Sequence, residues 1–347
     1  MDNNNQQQEK ALKTFSPLNI SLAILAGLIG TGILLYDSLE GKTFNEIVQE
    51  LANPSWFWIV LSVLVLLIRD AGYTYRIKNL TDGKLTWKGS LYVIILWEFA
   101  SAVTPSVVGG TAVAIFLLNK EGLNMGKSIA YVMLTAILDN LFFIIASPIV
   151  LATASEDFLS QEHTMFGQVV TLNYVFYFSY SLIAVYTLFM AFGVLFNPRM
   201  FQKIITGFTN FFHFSGRIKR RAYRLSIDVI TASRELKGKS FTYWLKAGLS
   251  TVFVWSARYF IVNCLIAAFK DLDLAGHFDT FSKHVILWVS QLVAVTPGGS
   301  GFAEYFFQEL MGVTVSIAIL WRILTYYGYL AIGSIALPRW LKRVLVK

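Results

Sequence analysis

Apolar residues run along this chain in long stretches separated by short charged ones. The runs cover 18–36, 55–68, 91–118, 128–152, 172–196, 247–269, 285–310 and 313–337. A helix needs about 20 mainly apolar residues to cross the hydrocarbon core of a bilayer, and most of these runs reach that length. Helices are expected rather than open strands, because lipid offers no partner to an unpaired backbone edge. The pattern therefore predicts an all-α polytopic membrane protein. Two of the runs are interrupted in the same way. Ala-Val-Thr-Pro occupies 102–105 and recurs at 294–297, followed by Gly109 and Gly110 in the first copy and by Gly298, Gly299 and Gly301 in the second. Pro and Gly deprive a helix of backbone hydrogen bonds, which membranes tolerate only inside protein or beside a water-filled cavity. Paired interruptions in the two halves of a chain point to a transporter's binding site.

Composition agrees with this. Of 347 residues 55% are hydrophobic and only 14% charged, with a mean hydropathy of +0.56; a soluble domain carries about 25% charged residues. The net charge of +8 is explained by where the basic residues collect, since cytoplasmic loops are enriched in Lys and Arg. Lys10 and Lys13 place the N-terminus inside. The acidic stretch with Asp37, Glu40, Glu46 and Glu50 is expected outside, and Arg69, Arg76, Lys78, Lys84 and Lys88 in an inside loop. Run 91–118 then has cytoplasmic flanks on both sides (Lys120 and Lys127 follow it), which makes it a re-entrant hairpin with its turn at 104–110. Run 285–310 forms the matching hairpin from the outer face. The scheme gives about six full transmembrane helices plus two re-entrant helical hairpins in an inverted repeat, with both termini cytoplasmic. Residues 1–14 are a polar, disordered N-terminus, 15–338 a single transmembrane domain, 197–246 a cytoplasmic basic amphipathic segment and 339–347 a basic cytoplasmic tail. A pair of conventional spans in place of one hairpin is the alternative.

A half-helix that restarts after each Thr-Pro-Gly turn presents unpaired N–H groups and a positive dipole end near the midplane, which suits an anion such as a phosphate. Thr104, Pro105, Gly109 and Gly110 in the first turn, and Thr296, Pro297, Gly298, Gly299, Ser300 and Gly301 in the second, are the substrate-binding candidates. The competing reading is that these glycines only let helices pack closely. Charges inside apolar runs are costly, so each normally faces the protein interior and finds a partner. Glu98, Asp139 and Glu304 are candidates for a cationic headgroup or a coupling proton, although Glu304 could equally cap its own helix. Arg258 and Arg322 could pair with these carboxylates or hold a lipid phosphate.

In 197–246, Phe201, Ile204, Ile205, Phe208, Phe211 and Phe212 recur at helical spacing, as in a helix lying in the interface. Arg217–Arg224 is dense in positive charge and could attract anionic lipid or simply mark an inside loop. Nucleic acid is excluded for want of any recognised binding fold. The four histidines lack metal-ligand spacing, and Gly122-Leu-Asn-Met-Gly-Lys-Ser128 is one residue short of a P-loop and has no preceding strand. No metal, cofactor or catalytic residue is expected.

Thr296-Pro-Gly-Gly-Ser-Gly-Phe-Ala-Glu304, followed by Gly312 and Arg322, resembles the signature of the lysylphosphatidylglycerol synthase transmembrane family, which includes the flippase half of the multiple peptide resistance factor. Arg69, Arg76, Thr104-Pro-Ser-Val-Val-Gly-Gly110 and Asp139 are similar too. Val107 and Val108 stand where family members commonly carry a basic or small residue. The resemblance covers roughly 18–337 and implies a lipid flippase fold in a prokaryotic plasma membrane. Its expected partners are membrane phospholipids or lipid-linked headgroups, with a homodimer left open. The chain ends ten residues after Leu337, before the soluble aminoacyl-transferase domain of the full-length synthases, so no such enzyme activity is expected of it. A membrane enzyme acting on polyprenyl-phosphate lipids and a non-transporting scaffold are the alternatives.

Overall fold

The protein was studied as a computed structural model, which describes residues 44–104, 107–153, 162–165, 168–291 and 311–345 together with Leu25 and Phe307. Run 18–36 and most of the second interruption, including Thr296, Pro297, Gly298, Gly299, Ser300, Gly301 and Glu304, lie outside these residues, as does Pro105.

After the short α1 (Phe44–Glu50), the chain enters α2 (Trp56–Leu80). This helix continues far beyond the apolar run that predicts it and stops only where Asp82 and Gly83 both turn left-handed (φ 52° and 69°). Arg69 and Arg76, expected in a loop, are therefore part of the helix and buried at 1% and 3% exposure. Thr86 caps α3 (Trp87–Val103) by accepting from the Gly89 N–H, and α4 (Val107–Lys120) turns back along it. The two arms touch at both ends. A Cβ at position 110 would stand 2.5 Å from Ser101 Oγ, and one at position 89 would stand 2.5 Å from Glu121 Oε2. Glycine permits that approach, and the pair is an antiparallel helical hairpin. At 14 residues, α4 rises about 21 Å, short of a full hydrocarbon core.

Asn124 starts α5 (Met125–Thr153) by accepting from the Lys127 N–H at 2.9 Å. The described architecture is helical, as expected, apart from a short ribbon in the connection that follows: β1 (Glu162–Met165) pairs antiparallel with β2 (Gln168–Thr171), in a stretch where Thr164, Val169, Val170 and Thr171 supply β-branched side chains. The remaining helices are α6 (Leu172–Ala191) with a π-helical turn at Phe192–Phe196, α7 (Pro198–Phe211), α8 (Gly216–Leu236), α9 (Phe241–Ala267) and α10 (Leu274–Gln291). The last run is not one regular helix. It consists of α11 (Val315–Arg322), a second π-helical turn at Ile323–Tyr327, and α12 (Gly328–Leu345). Pro338 does not end α12 as expected. The residues beyond it are held against the base of the α3–α4 hairpin, where Glu121 accepts from Trp340 Nε1 at 2.7 Å and from the Arg343 guanidinium.

Among the described residues, four helices are long and apolar enough to cross a membrane: Trp56–Leu80, Met125–Ala152, Asn173–Phe196 and Phe241–Ala267. Their outward faces are apolar as well. On α2, Trp56, Phe57, Val60, Leu64 and Leu67 are exposed, and on α6 so are Tyr174, Phe178, Leu182 and Val185. Apolar faces this large require lipid or protein cover, and the protein is a multi-pass membrane protein. Its core forms where α2 packs along α9, an approach that Gly72 permits because Phe253 occupies the space a Cβ would need. Around this pair stand α3, α5, α10 and α12.

Candidate functional site

On α2, Arg69, Tyr73 and Arg76 follow one another at four- and three-residue steps, and on α9 Thr251, Trp255 and Arg258 do the same. That spacing puts each set on one helix face. The two stripes meet where the helices pack, running antiparallel, with Arg76 donating to Thr251 at one end and Arg258 beside Tyr73 at the other.

The charges in this seam are matched one for one. Asp139 of α5 receives Arg76 through both oxygens, at 2.5 and 3.2 Å, and also accepts from Trp255 Nε1 at 2.8 Å. Glu98 of α3 is bound by Arg258, with Arg69 at 3.9 Å. Asp70 accepts from its neighbour Arg69 at 2.8 and 3.1 Å. The Tyr329 hydroxyl on α12 receives a bond from Arg69 and donates into the Asp70 carboxylate, 2.6 and 2.7 Å from its two oxygens. The Tyr73 ring lies 5.6, 5.1 and 5.6 Å from the Arg69, Arg76 and Arg258 guanidinium carbons, close enough for cation–π attraction to each. Three guanidinium groups and three carboxylates thus share one low-dielectric region at zero net charge. An isolated charge at the bilayer centre costs about 2.5–3.5 kcal/mol on insertion scales, and this matching is what makes the cluster tolerable.

Access is uneven. Arg69 and Arg76 are sealed, whereas the Glu98 and Arg258 side chains are 22% and 27% exposed. Arg258 Nε is itself buried and has no hydrogen-bond partner among the described residues. The Asp139 and Asp70 side chains are 22% and 19% exposed, so within the cluster Glu98–Arg258, on the hairpin arm and the facing span, is the pair in which cation and carboxylate are both partly accessible.

Of the expected residues, Glu98, Arg258 and Asp139 come together in this network, with Glu98 and Asp139 held by different arginines. Thr104 is buried at the end of α3, its hydroxyl donating to the Ala100 carbonyl at 2.8 Å. Gly109 and Gly110 form the first turn of α4, and Gly110 is buried against Ser101. Arg322 is buried at the end of α11, its guanidinium 4.9 Å from the Trp321 ring and 5.1 Å from that of Tyr326. Sequence reasoning missed Asp70, Tyr73, Trp255 and Tyr329. For Tyr73 and Trp255 the one-face spacing with arginines was available as a signal.

Residues 20–333 match the profile of a family described as the lysylphosphatidylglycerol synthase TM region. The chain belongs to this family. A second likeness spans almost the whole of both proteins: the chain is 24% identical over 338 residues to a UPF0104 membrane protein of Archaeoglobus fulgidus, covering 91% of this chain and 95% of that one. No solved structure matches. The match to the lysylphosphatidylglycerol synthase TM region takes in every member of the charged network.

Proposed function

We propose that the protein is a lipid flippase that moves a phospholipid or lipid-linked headgroup across the plasma membrane, and that Glu98 and Arg258 are where the headgroup is exchanged. The observation that carries this reading is that both partners of this ion pair are partly exposed, whereas the arginines of the other pairs in the charge-neutral cluster are sealed. A zwitterionic headgroup can enter such a place without changing its net charge. Its phosphate takes Arg258 and its cationic group takes Glu98, two charge-assisted pairs in place of one. The family takes its name from lysylphosphatidylglycerol, a phospholipid with a cationic headgroup, which fits carboxylates at the site.

In this reading the α3–α4 hairpin is re-entrant, a second hairpin within 285–310 faces it from the other leaflet, and six full spans surround both with the termini in the cytoplasm. Thr104, Pro105, Gly109, Gly110 and 296–301 hold the phosphate, with Arg322 adding charge; Glu304 and Asp139 serve the cationic group or a proton. Rocking of the hairpins alternates access. Transport is favoured over catalysis because Glu98 and Asp139 are each already bound to a guanidinium, which occupies oxygens a general base would offer to a substrate.

The test is transbilayer movement of fluorescent phosphatidylglycerol and its lysyl ester in proteoliposomes, read by dithionite quenching. E98Q and R258Q are each expected to slow movement at least tenfold. Wild-type rates in both, with the proteins inserted and folded, would sink the proposal.

A further inference from the structure

A second polar place lies far from this network along the chain. Between the π-helical turn after α6, the start of α7, the end of α8 and the start of α9 is a cavity of about 750 Å³. Arg199, Arg234, Lys237 and Lys239 line it, and no acidic residue does. Lys239 is paired with Asp82. Arg199, Arg234 and Lys237 have no carboxylate partner among the described residues, so the cavity carries a surplus of positive charge, quite unlike the matched cluster in the core.

Local structure adds to that surplus. Asn197 caps α7 and Pro198 opens it, so the positive end of the α7 dipole lies at the cavity. The C-terminal end of α8 also reaches it, and there Lys237 and Lys239 counter the negative dipole end. The rim is apolar: Leu195 and Phe196 both line the cavity and are exposed, and Trp244 is half-buried beside them. Along the adjoining α7, Ile204, Phe208 and Phe211 are exposed too. A basic hollow with an apolar rim, continuous with an exposed apolar helix face, matches a molecule that is anionic at one end and oily at the other.

We infer that this cavity binds the phosphate-bearing headgroup of an anionic phospholipid, with the acyl chains lying on Phe196 and the α7 face. The site is separate from the Glu98–Arg258 exchange point and does not depend on transport. It seats the α7–α8 pair on the membrane surface through a specific lipid.

The test uses native mass spectrometry of the detergent-solubilised full chain with three probes: dioctanoyl phosphatidylglycerol, dioctanoyl phosphatidylcholine and free glycerol 3-phosphate. The wild type is expected to retain phosphatidylglycerol in preference to the other two. R234Q/K237Q is expected to weaken this retention roughly 25-fold, about fivefold per charge removed. Both side chains are exposed and make no ion pair, so folding is not at stake. R220Q/R221Q removes two exposed charges of α8 that do not line the cavity and should leave retention intact. Equal loss in R220Q/R221Q would show a diffuse basic surface and overturn the site. Equal retention of phosphatidylcholine would remove the anionic specificity, and binding of glycerol 3-phosphate as tight as that of the lipid would make the ligand a soluble phosphate.

Discussion

The arginines of this protein live in two environments that obey opposite rules. In the α2–α9 seam Arg69, Arg76 and Arg258 each hold a carboxylate and a share of an aromatic ring. On α7 and α8, Arg199, Arg220, Arg221 and Arg234 are exposed and hold no carboxylate among the described residues. Water and lipid headgroups solvate the second set, so partners would add little there; exposed ion pairs are worth about 0–1 kcal/mol. The core has no such solvent, and a charge that loses its partner there stays uncompensated. The same side chain is thus a liability in one region unless matched, and in the other a free adhesive for anions.

The sharpest way to break this contrast is to remove the carboxylate that partners a sealed arginine. D139N leaves Arg76 buried without its carboxylate, which should cost about 3–5 kcal/mol and appear as a large drop in the thermal midpoint of the purified protein. The double substitution R76M/D139L should recover most of it, since replacing both members of a buried pair by apolar residues is often neutral. A D139N protein that melts with the wild type would mean that Arg76 does not need the pair, and the contrast would fail at its strongest point.

Y329F probes the next level. It removes the hydroxyl that links α12 to Asp70 but leaves Asp70 with Arg69. Loss of a hydrogen bond to a charged group is worth about 1.5–3 kcal/mol, so the midpoint should fall less than in D139N. A loss equal to that of D139N would show that the tyrosine, not the arginine, is the main partner holding Asp70 in the cluster.

The rule that charges inside apolar runs need partners was enough to single out Glu98, Asp139 and Arg258. It could not say who pairs with whom, because the bonds join residues 63 and 160 positions apart, and helix order around a core leaves no trace in local pattern. Arg69 and Arg76 were legible as charges and misplaced as a loop, since loop-charge bias counts any arginine that follows an apolar run. Their shared helix face with Tyr73, and the same spacing on α9, held the correction. The α3–α4 hairpin followed from Thr104-Pro105 and its glycines. Continuation of α12 past Pro338 did not, because Glu121, which anchors the residues beyond it, is distant in sequence. The β1–β2 ribbon was hidden in a stretch read only for its acidic charge.

The smallest effect tests whether solvation really is easy on α7 and α8. Asp228 of α8 is half-buried, and burial pushes its carboxyl up to about 6, against a smaller opposite pull from Arg224. In an unfolded chain the same group releases its proton near about 4. Below both values the two states are equally protonated and Asp228 has no pH-dependent effect. Between them the folded state keeps a proton that the unfolded state has lost, so stability falls as pH rises from about 4 to about 6 and is level above. D228N should therefore match the wild type near pH 4 and melt a few degrees higher at pH 7.5, with thermal scans at several pH values as the readout. If D228N instead melts lower at pH 7.5, the ionised carboxylate is being used, and α8 would contain a matched charge like those of the core rather than a solvated one.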